Sequence, residues 1–326
     1  MTSEVQFGKV LLKSISELEI NESIDDISNT AKITIPHNYA QLAGKFILDQ
    51  FQAGSPVVLK LGYNGELNTE FTGYVREIDG NYPVIVYCDD ESYVLRQSSH
   101  VGSFANATLR EVLNSIIPKN IKIDCPDVNL GKFQIDKESA YQVLQRIKTS
   151  YGMYSRVKDG VLYVNLRELA IDQKQVKHIH KYVVGVKDQR AGFVKKNELK
   201  YKRKEDYKLT VRVTGVHGKG KKTTVEVGSK DKDASKFNVE YPGNHTEDEL
   251  RKFAQQLYLK RCYDGYTGTI TGFGAPRTHA GEYLEIKDIE EPNRNGVYFI
   301  EKVDISYNLS DGFSRKNTLS YKVNDR

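Results

Sequence analysis

One short pattern occurs twice in this 326-residue chain and limits the folds open to it. Gly54-x-x-Val57-x-Leu59-Lys60 has the same spacing as Gly281-x-x-Leu284-x-Ile286-Lys287. Each is followed by a turn and a glycine-led strand: Gly73-Tyr74-Val75-Arg76-Glu77-Ile78 in one case, Gly296-Val297-Tyr298-Phe299-Ile300-Glu301-Lys302-Val303 in the other. A glycine before an alternating strand is what any hairpin shows, so the spacing alone leaves chance open. If it is a true repeat, the chain carries two copies of one barrel separated by unlike inserts.

The surrounding sequence fits that arrangement. Val57–Tyr63, Asn64-Gly65, Phe71–Ile78, Asp79-Gly80-Asn81 and Pro83–Cys88 predict a three-stranded meander, with a further pair at 5–20 and 27–35. Asn-Gly supplies the two positive φ values of a tight turn, while residues 66–70 suggest a longer, bulged loop. Residues 1–98 therefore read as a small antiparallel barrel or sandwich, the first β-barrel domain of the repeat. From 99 to 180 the pattern is α+β. Thr108 and Glu111 form a capping box, and Leu109, Val112, Leu113, Ile116 and Ile117 make one apolar stripe ended by Pro118. A second helix follows Asp136, and a hairpin turns at Asp159-Gly160. A second barrel is expected from 181–206 plus 264–326. Within it, residues 207–263 read as an inserted hairpin and helix, the helix opening on Thr246 and Glu249. The expected fold class is α+β, mainly β, with two similar antiparallel barrels and small α+β inserts.

Charge and cysteine usage exclude several functions. Lys and Arg total 48 against 43 Asp and Glu, a balance that gives no reason to expect nucleic acid as a specific ligand. The longest apolar run, Val84–Cys88, is far below the roughly 20 residues of a membrane helix, and the N-terminus lacks the basic and apolar regions of a secretory signal. Cys88, Cys125 and Cys262 are scattered and odd in number, so neither a disulfide framework nor a zinc site is indicated.

Motifs for chemistry are weak. Gly215-Val216-His217-Gly218-Lys219-Gly220-Lys221 has the spacing of a phosphate loop, but Lys222 stands where Ser or Thr would hold magnesium, and a strand follows instead of a helix. The adjacent acids Asp25-Asp26, Asp89-Asp90 and Glu290-Glu291 would point to opposite faces of a strand. His178 and His180 could share a face but have no third ligand at a telling interval. No catalytic, cofactor-binding or metal site is predicted, and the chain is not expected to be an enzyme. A basic run, Lys195, Lys196, Lys200, Lys202, Arg203 and Lys204, alternates with Leu199 and Tyr201 as the solvated face of a half-buried strand would. A basic surface facing an acidic partner, or nucleic acid, are its other readings.

The ordered series of these segments resembles the late-control-D, or baseplate-hub, family of contractile phage tails, which is also the N-terminal hub of type VI secretion spike proteins. The stretches carrying the resemblance are Asp26–Pro36, Gly54–Tyr63, Phe71–Val75, Ala107–Leu113, Ser139–Gly152, Gly281–Lys287 and Asn295–Val303. Each is loose, and the specificity lies in their order along nearly the whole chain. The resemblance implies a homotrimer in which six barrels imitate sixfold symmetry, adapting a hexameric tail tube protein to a trimeric central spike protein among other baseplate proteins. It implies synthesis in the bacterial cytoplasm and assembly into a virion tail or injection particle. With the last strand ending near Arg326, the spike and any cell-wall hydrolase are expected on separate polypeptides. The repeat strands are the candidate assembly interface, through Val57, Leu59, Lys60, Tyr74 and Arg76 in one copy and Leu284, Ile286, Lys287, Tyr298 and Ile300 in the other. The alternatives are a tail-associated glycan hydrolase, marked by paired acids in a cleft, and a nucleic-acid module using Lys195–Lys204 and the 215–222 loop.

Overall fold

The computed structural model describes residues 1–36, 41–42, 45–46, 52–81, 83–167, 179–188, 192–216, 222–242 and 245–323. The chain begins with β1 (Thr2–Phe7), β2 (Val10–Leu12), β3 (Glu17–Ser23), β4 (Thr30–Ile35), the two-residue strands β5 (Gln41–Leu42) and β6 (Lys45–Phe46), β7 (Pro56–Tyr63), β8 (Glu66–Asp79) and β9 (Val84–Asp89). Burial alternates along β1, β3 and β4, so each places one apolar face inward. The turn after β7 is tighter than expected. Tyr63 pairs with Glu66, and Asn64 and Gly65 both take positive φ (52° and 88°), giving a two-residue hairpin. The irregularity lies further on: Leu59 pairs with Phe71 and Lys60 with Thr69, leaving Glu70 as the extra residue of a bulge.

A first insert follows, with β10 (Ser99–Thr108), α1 (Leu109–Ile116), β11 (Lys122–Asp124), β12 (Asn129–Ser139), α2 (Ala140–Tyr151), β13 (Met153–Lys158) and β14 (Val161–Leu166). Thr108 and Glu111 form the expected capping box. Ser139 and Gln142 form a second one, which sets the start of α2, and Gly152 closes that helix in the left-handed conformation. Next come β15 (Ile179–Val184), β16 (Val194–Lys202), and a second insert of β17 (Leu209–Val216), β18 (Lys222–Gly228), β19 (Ser235–Pro242) and α3 (Glu247–Arg261). This insert holds one strand more than expected, because β19 adds to β17 in parallel. The chain ends with β20 (Gly265–Phe273), β21 (Tyr283–Asp288), β22 (Gly296–Asn308) and β23 (Gly312–Val323).

The fold is mainly β. Among the described residues thirteen strands join in one sheet, and its two halves, with β2 beyond β1 left aside, share a strand order. In the first half the order is β1-β7-β8-β9-β4-β3, and in the second it is β15-β21-β22-β23-β20-β16. Numbered within its own half, each reads first, fourth, fifth, sixth, third, second. Four of the five adjacencies are antiparallel in both; the fifth is antiparallel for β1 with β7 and parallel for β15 with β21. Among the described residues no ladder joins the first and last strands of either unit. One apolar core runs through both units, from Val5 and Phe7 to Phe299 and Tyr321. The helices and insert strands bury a second one, which includes Leu113, Leu144 and Leu257.

Candidate functional site

The two halves meet where β3 pairs antiparallel with the C-terminal part of β22, from Ser23 opposite Lys302 to Glu17 opposite Asn308. On that edge β22 first pairs β21 through Gly296–Phe299 and is then taken over by β3. Backbone pairing thus makes one continuous sheet from two units. Ion pairs reinforce it. The bulged Glu70 is buried and pairs with Arg315 (2.6 Å), itself fully buried, and with Arg277 (3.1 Å). Across the same boundary Glu22 meets His279 Nδ1 (3.1 Å) and accepts from the Ala280 N–H (3.2 Å). Burial alone pulls the His279 imidazole down, but the hydrogen bond and charge of Glu22 outweigh it and leave its pKa raised. Tyr63 stacks on Phe313 with ring centroids 5.7 Å apart, and its hydroxyl accepts from the Gly274 N–H.

The units correspond rung by rung around this seam. Gly54 and Gly281 take φ of +87° and +93°. The Gly54 N–H donates to Val75 O and the Gly281 N–H to Ile300 O, each at 2.8 Å; the Val75 N–H returns to Ser55 O and the Ile300 N–H to Glu282 O, each at 2.9 Å. Immediately beyond, both strands carry a bulge, at Arg76 between Val75 and Glu77 and at Glu301 between Ile300 and Lys302. The matched rungs are Val75, Cys88, Ala31 and Ile20 in one unit, and Ile300, Leu319, Gly268 and Leu199 in the other. Gly73 and Gly296 are not counterparts: Gly73 lies two residues before Val75, whereas Gly296 lies four before Ile300.

The candidate interface residues separate into two groups. Val57, Leu59, Leu284, Ile286, Tyr298 and Ile300 are buried in the chain's own core, so they shape the strands without presenting surface. Lys60 reaches Glu4 (3.0 Å), Arg76 reaches the buried Asp89 (2.7 Å), Tyr74 stacks on Tyr93 and stays partly exposed, and Lys287 is exposed. What the spacing did not identify is Glu70, an acid in a predicted loop, and the free strand edges.

Among the open edges of the described residues, two are of the kinds that pair at the β3–β22 junction. β16 pairs only β20, and the Glu77–Asp79 part of β8 pairs only β9. Of the basic run, Lys195, Lys196, Lys200 and Lys202 lie on β16, while Arg203 and Lys204 follow it. Lys196 pairs with Glu198 (2.7 Å), the Lys202 ammonium donates to Arg261 O and lies over the Tyr263 ring, and Lys200 is exposed with no ion pair among the described residues. Residues 217–221 of the glycine-rich loop, and His178, lie outside the described residues; β17 ends at Val216 and the strand β18 begins at Lys222. The adjacent acids have local roles. Asp25 binds Arg167, Asp89 binds Arg76 and Arg96, and Asp90 caps the turn at Ser92. A cleft of about 680 Å³ between the second insert and β23 is lined by Lys202, Lys208, Lys260 and Arg261 with Asp206 and Asp233, both exposed. All three cysteines are buried, which pushes the Cys88 thiol up to about 12. Among the described residues no cluster of His, Cys, Asp and Glu could hold a metal, and no helix is long and apolar enough to cross a membrane.

No protein-family model matches the chain, and no curated protein matches its sequence significantly. Solved structures do match its fold. A tail protein from Neisseria meningitidis is 16% identical with a TM-score of 0.62, covering 99% of this chain and 96% of that one. The 43 kDa tail protein of prophage MuSo2 from Shewanella oneidensis is 17% identical with a TM-score of 0.58, covering 98% of each chain. An Escherichia coli component of the type VI secretion system, itself structurally similar to the T4 tail proteins gp27 and gp5, is 9% identical with a TM-score of 0.55, covering 99% of this chain and 79% of that one. The chain therefore has the tail-protein fold.

Proposed function

We propose that this chain is a structural baseplate hub of a contractile tail or related injection machine. Three copies would form a closed ring of six similar barrel units, adapting a hexameric tail tube to a trimeric central spike. The observation that carries this reading is the shared strand order of the two halves, with the matched glycines and bulges. Duplicating one unit within a chain is how a trimer can present near-sixfold symmetry, and heterologous contacts that close make a ring. The domains would be 1–98 and 181–206 plus 264–326 as the two copies, with 99–180 and 207–263 as inserts. The inserts pack a second core to which the 1–98 unit adds Ile27 and Leu95.

In this role the protein works by shape and strand pairing and needs no catalytic group. The partners are other copies of itself, tube, spike and further baseplate proteins, in a virion tail or injection particle. A glycan-hydrolase reading would need a carboxylate pair flanking a bound sugar, and the acids lining the cleft, Asp206 and Asp233, are both exposed. Native mass spectrometry of the full chain tests the proposal. A three-chain species is expected; a dimer, or a ladder of ever larger species, contradicts it.

A further inference from the structure

We propose that the ring is closed by β16 of one copy pairing antiparallel with the Glu77–Asp79 edge of β8 in the next, so that the basic run is a subunit seam. This rests on the hub reading above and adds to it a specific pair of edges and a register.

The junction already made inside the chain supplies the template. There, β3 of the first unit pairs the C-terminal part of β22 in the second. The matched rungs make β16 the counterpart of β3 and β8 the counterpart of β22, with Leu199 standing for Ile20 and Val75 for Ile300. The chain therefore uses one β3-type edge and one β22-type edge internally and leaves one of each open. Open edges of this kind are templates for pairing with another chain. A pairing between copies that repeats the internal one occupies both, and each copy contributes a different edge, as a closing heterologous contact requires.

The internal register can be carried across. Ser23 opposite Lys302 becomes Lys202 opposite Glu77, and Asn21 opposite Asp304 becomes Lys200 opposite Asp79. Directly opposed residues share a face and their side chains touch, so opposite charges there favour the pairing. Lys200 and Glu77 are exposed and make no ion pair among the described residues, while Asp79 only caps Asn81. On the other face the same register sets Tyr201 against Ile78. Both are half-buried residues resting on the core at open edges of their strands, and the pairing would cover them. Charge on one face and apolar contact on the other agree on one register. A shift by one residue would set Lys200 against Ile78 or Gly80, losing both.

The test joins Lys200→Cys with Asp79→Cys in the full chain. Facing antiparallel residues have Cα atoms about 4.5–5.5 Å apart, within disulfide reach. The natural cysteines are buried and give little background. Mild oxidation is expected to give a covalent trimer on a non-reducing gel, whereas Lys196→Cys with Asp79→Cys stays uncrosslinked. In parallel, Lys200→Glu should weaken the trimer about tenfold at low salt, and adding Asp79→Lys should restore it. A native trimer that neither crosslinks nor responds to the charge changes overturns this seam and leaves the hub reading standing. A chain that forms no trimer overturns both.

Discussion

Glu70 shows how one residue can decide the relation of two units. As the extra residue of a bulge its side chain leaves the alternation of β8, and it is held between Arg315 and Arg277 of the other unit. In the matched rungs Arg315 occupies the position of Val84 and the fully buried Asn317 that of Val86, so one unit fills with a polar network what the other fills with apolar side chains. Glu70→Ala leaves Arg315 buried and uncompensated. It should cost about 3–5 kcal/mol in urea unfolding, with the loss for Glu70→Ala and Arg315→Met together well below the sum of the two single changes. His279 gives a pH signature. Its raised pKa means that the stability from Glu22 is fully present below the ordinary histidine value of 6.5 and is lost as pH rises through the raised value. The urea midpoint should therefore fall between about pH 6 and pH 8, and His279→Gln should flatten that slope. A slope unchanged in the variant would remove His279 from the account. Neither residue was legible in the sequence: an acid among 66–70 looks like loop, and a partner some two hundred residues away leaves no local trace.

At the scale of elements, local chemistry was readable and pairing was not. Two of the three capping boxes, at Thr108 and Thr246, were visible, because a cap is decided within four residues; the third, Ser139 with Gln142, was not picked out. The strand β19 was missed although Phe237, Val239 and Tyr241 alternate, since its partner β17 lies beyond a hairpin and runs parallel. The ribbon of β10 and β12 was missed because β10, largely exposed, has no alternating apolar face to detect. The repeat was half legible. Gly54 and Gly281 were correctly matched, since both need a backbone that side chains resist. Counting onward to Gly73 and Gly296 failed because the intervening turn has two residues in one unit and seven in the other. Ala at either Gly54 or Gly281 should cost about 1–2 kcal/mol, similar at both, measured by thermal or urea unfolding. A large loss at one and none at the other would argue against a shared role.

Over the whole molecule, the β3–β22 junction makes the sheet continuous from one unit to the next, and the open edges of β16 and β8 offer that continuity to another copy. The sequence carried the mainly β class, because alternation is local. It did not carry the seam, whose residues matter only once two distant edges are seen to have matched counterparts. Burial of Val57, Leu59, Leu284, Ile286, Tyr298 and Ile300 in the chain's own core places the proposed interface at the charged strand edges and not at the repeat's apolar positions. Electron microscopy of the purified full chain, viewed down the ring axis, tests the central claim most directly. A closed ring of three chains with six similar lobes around a lumen is expected; a two-chain particle, a ring with another number of chains, or an open filament would contradict the hub reading.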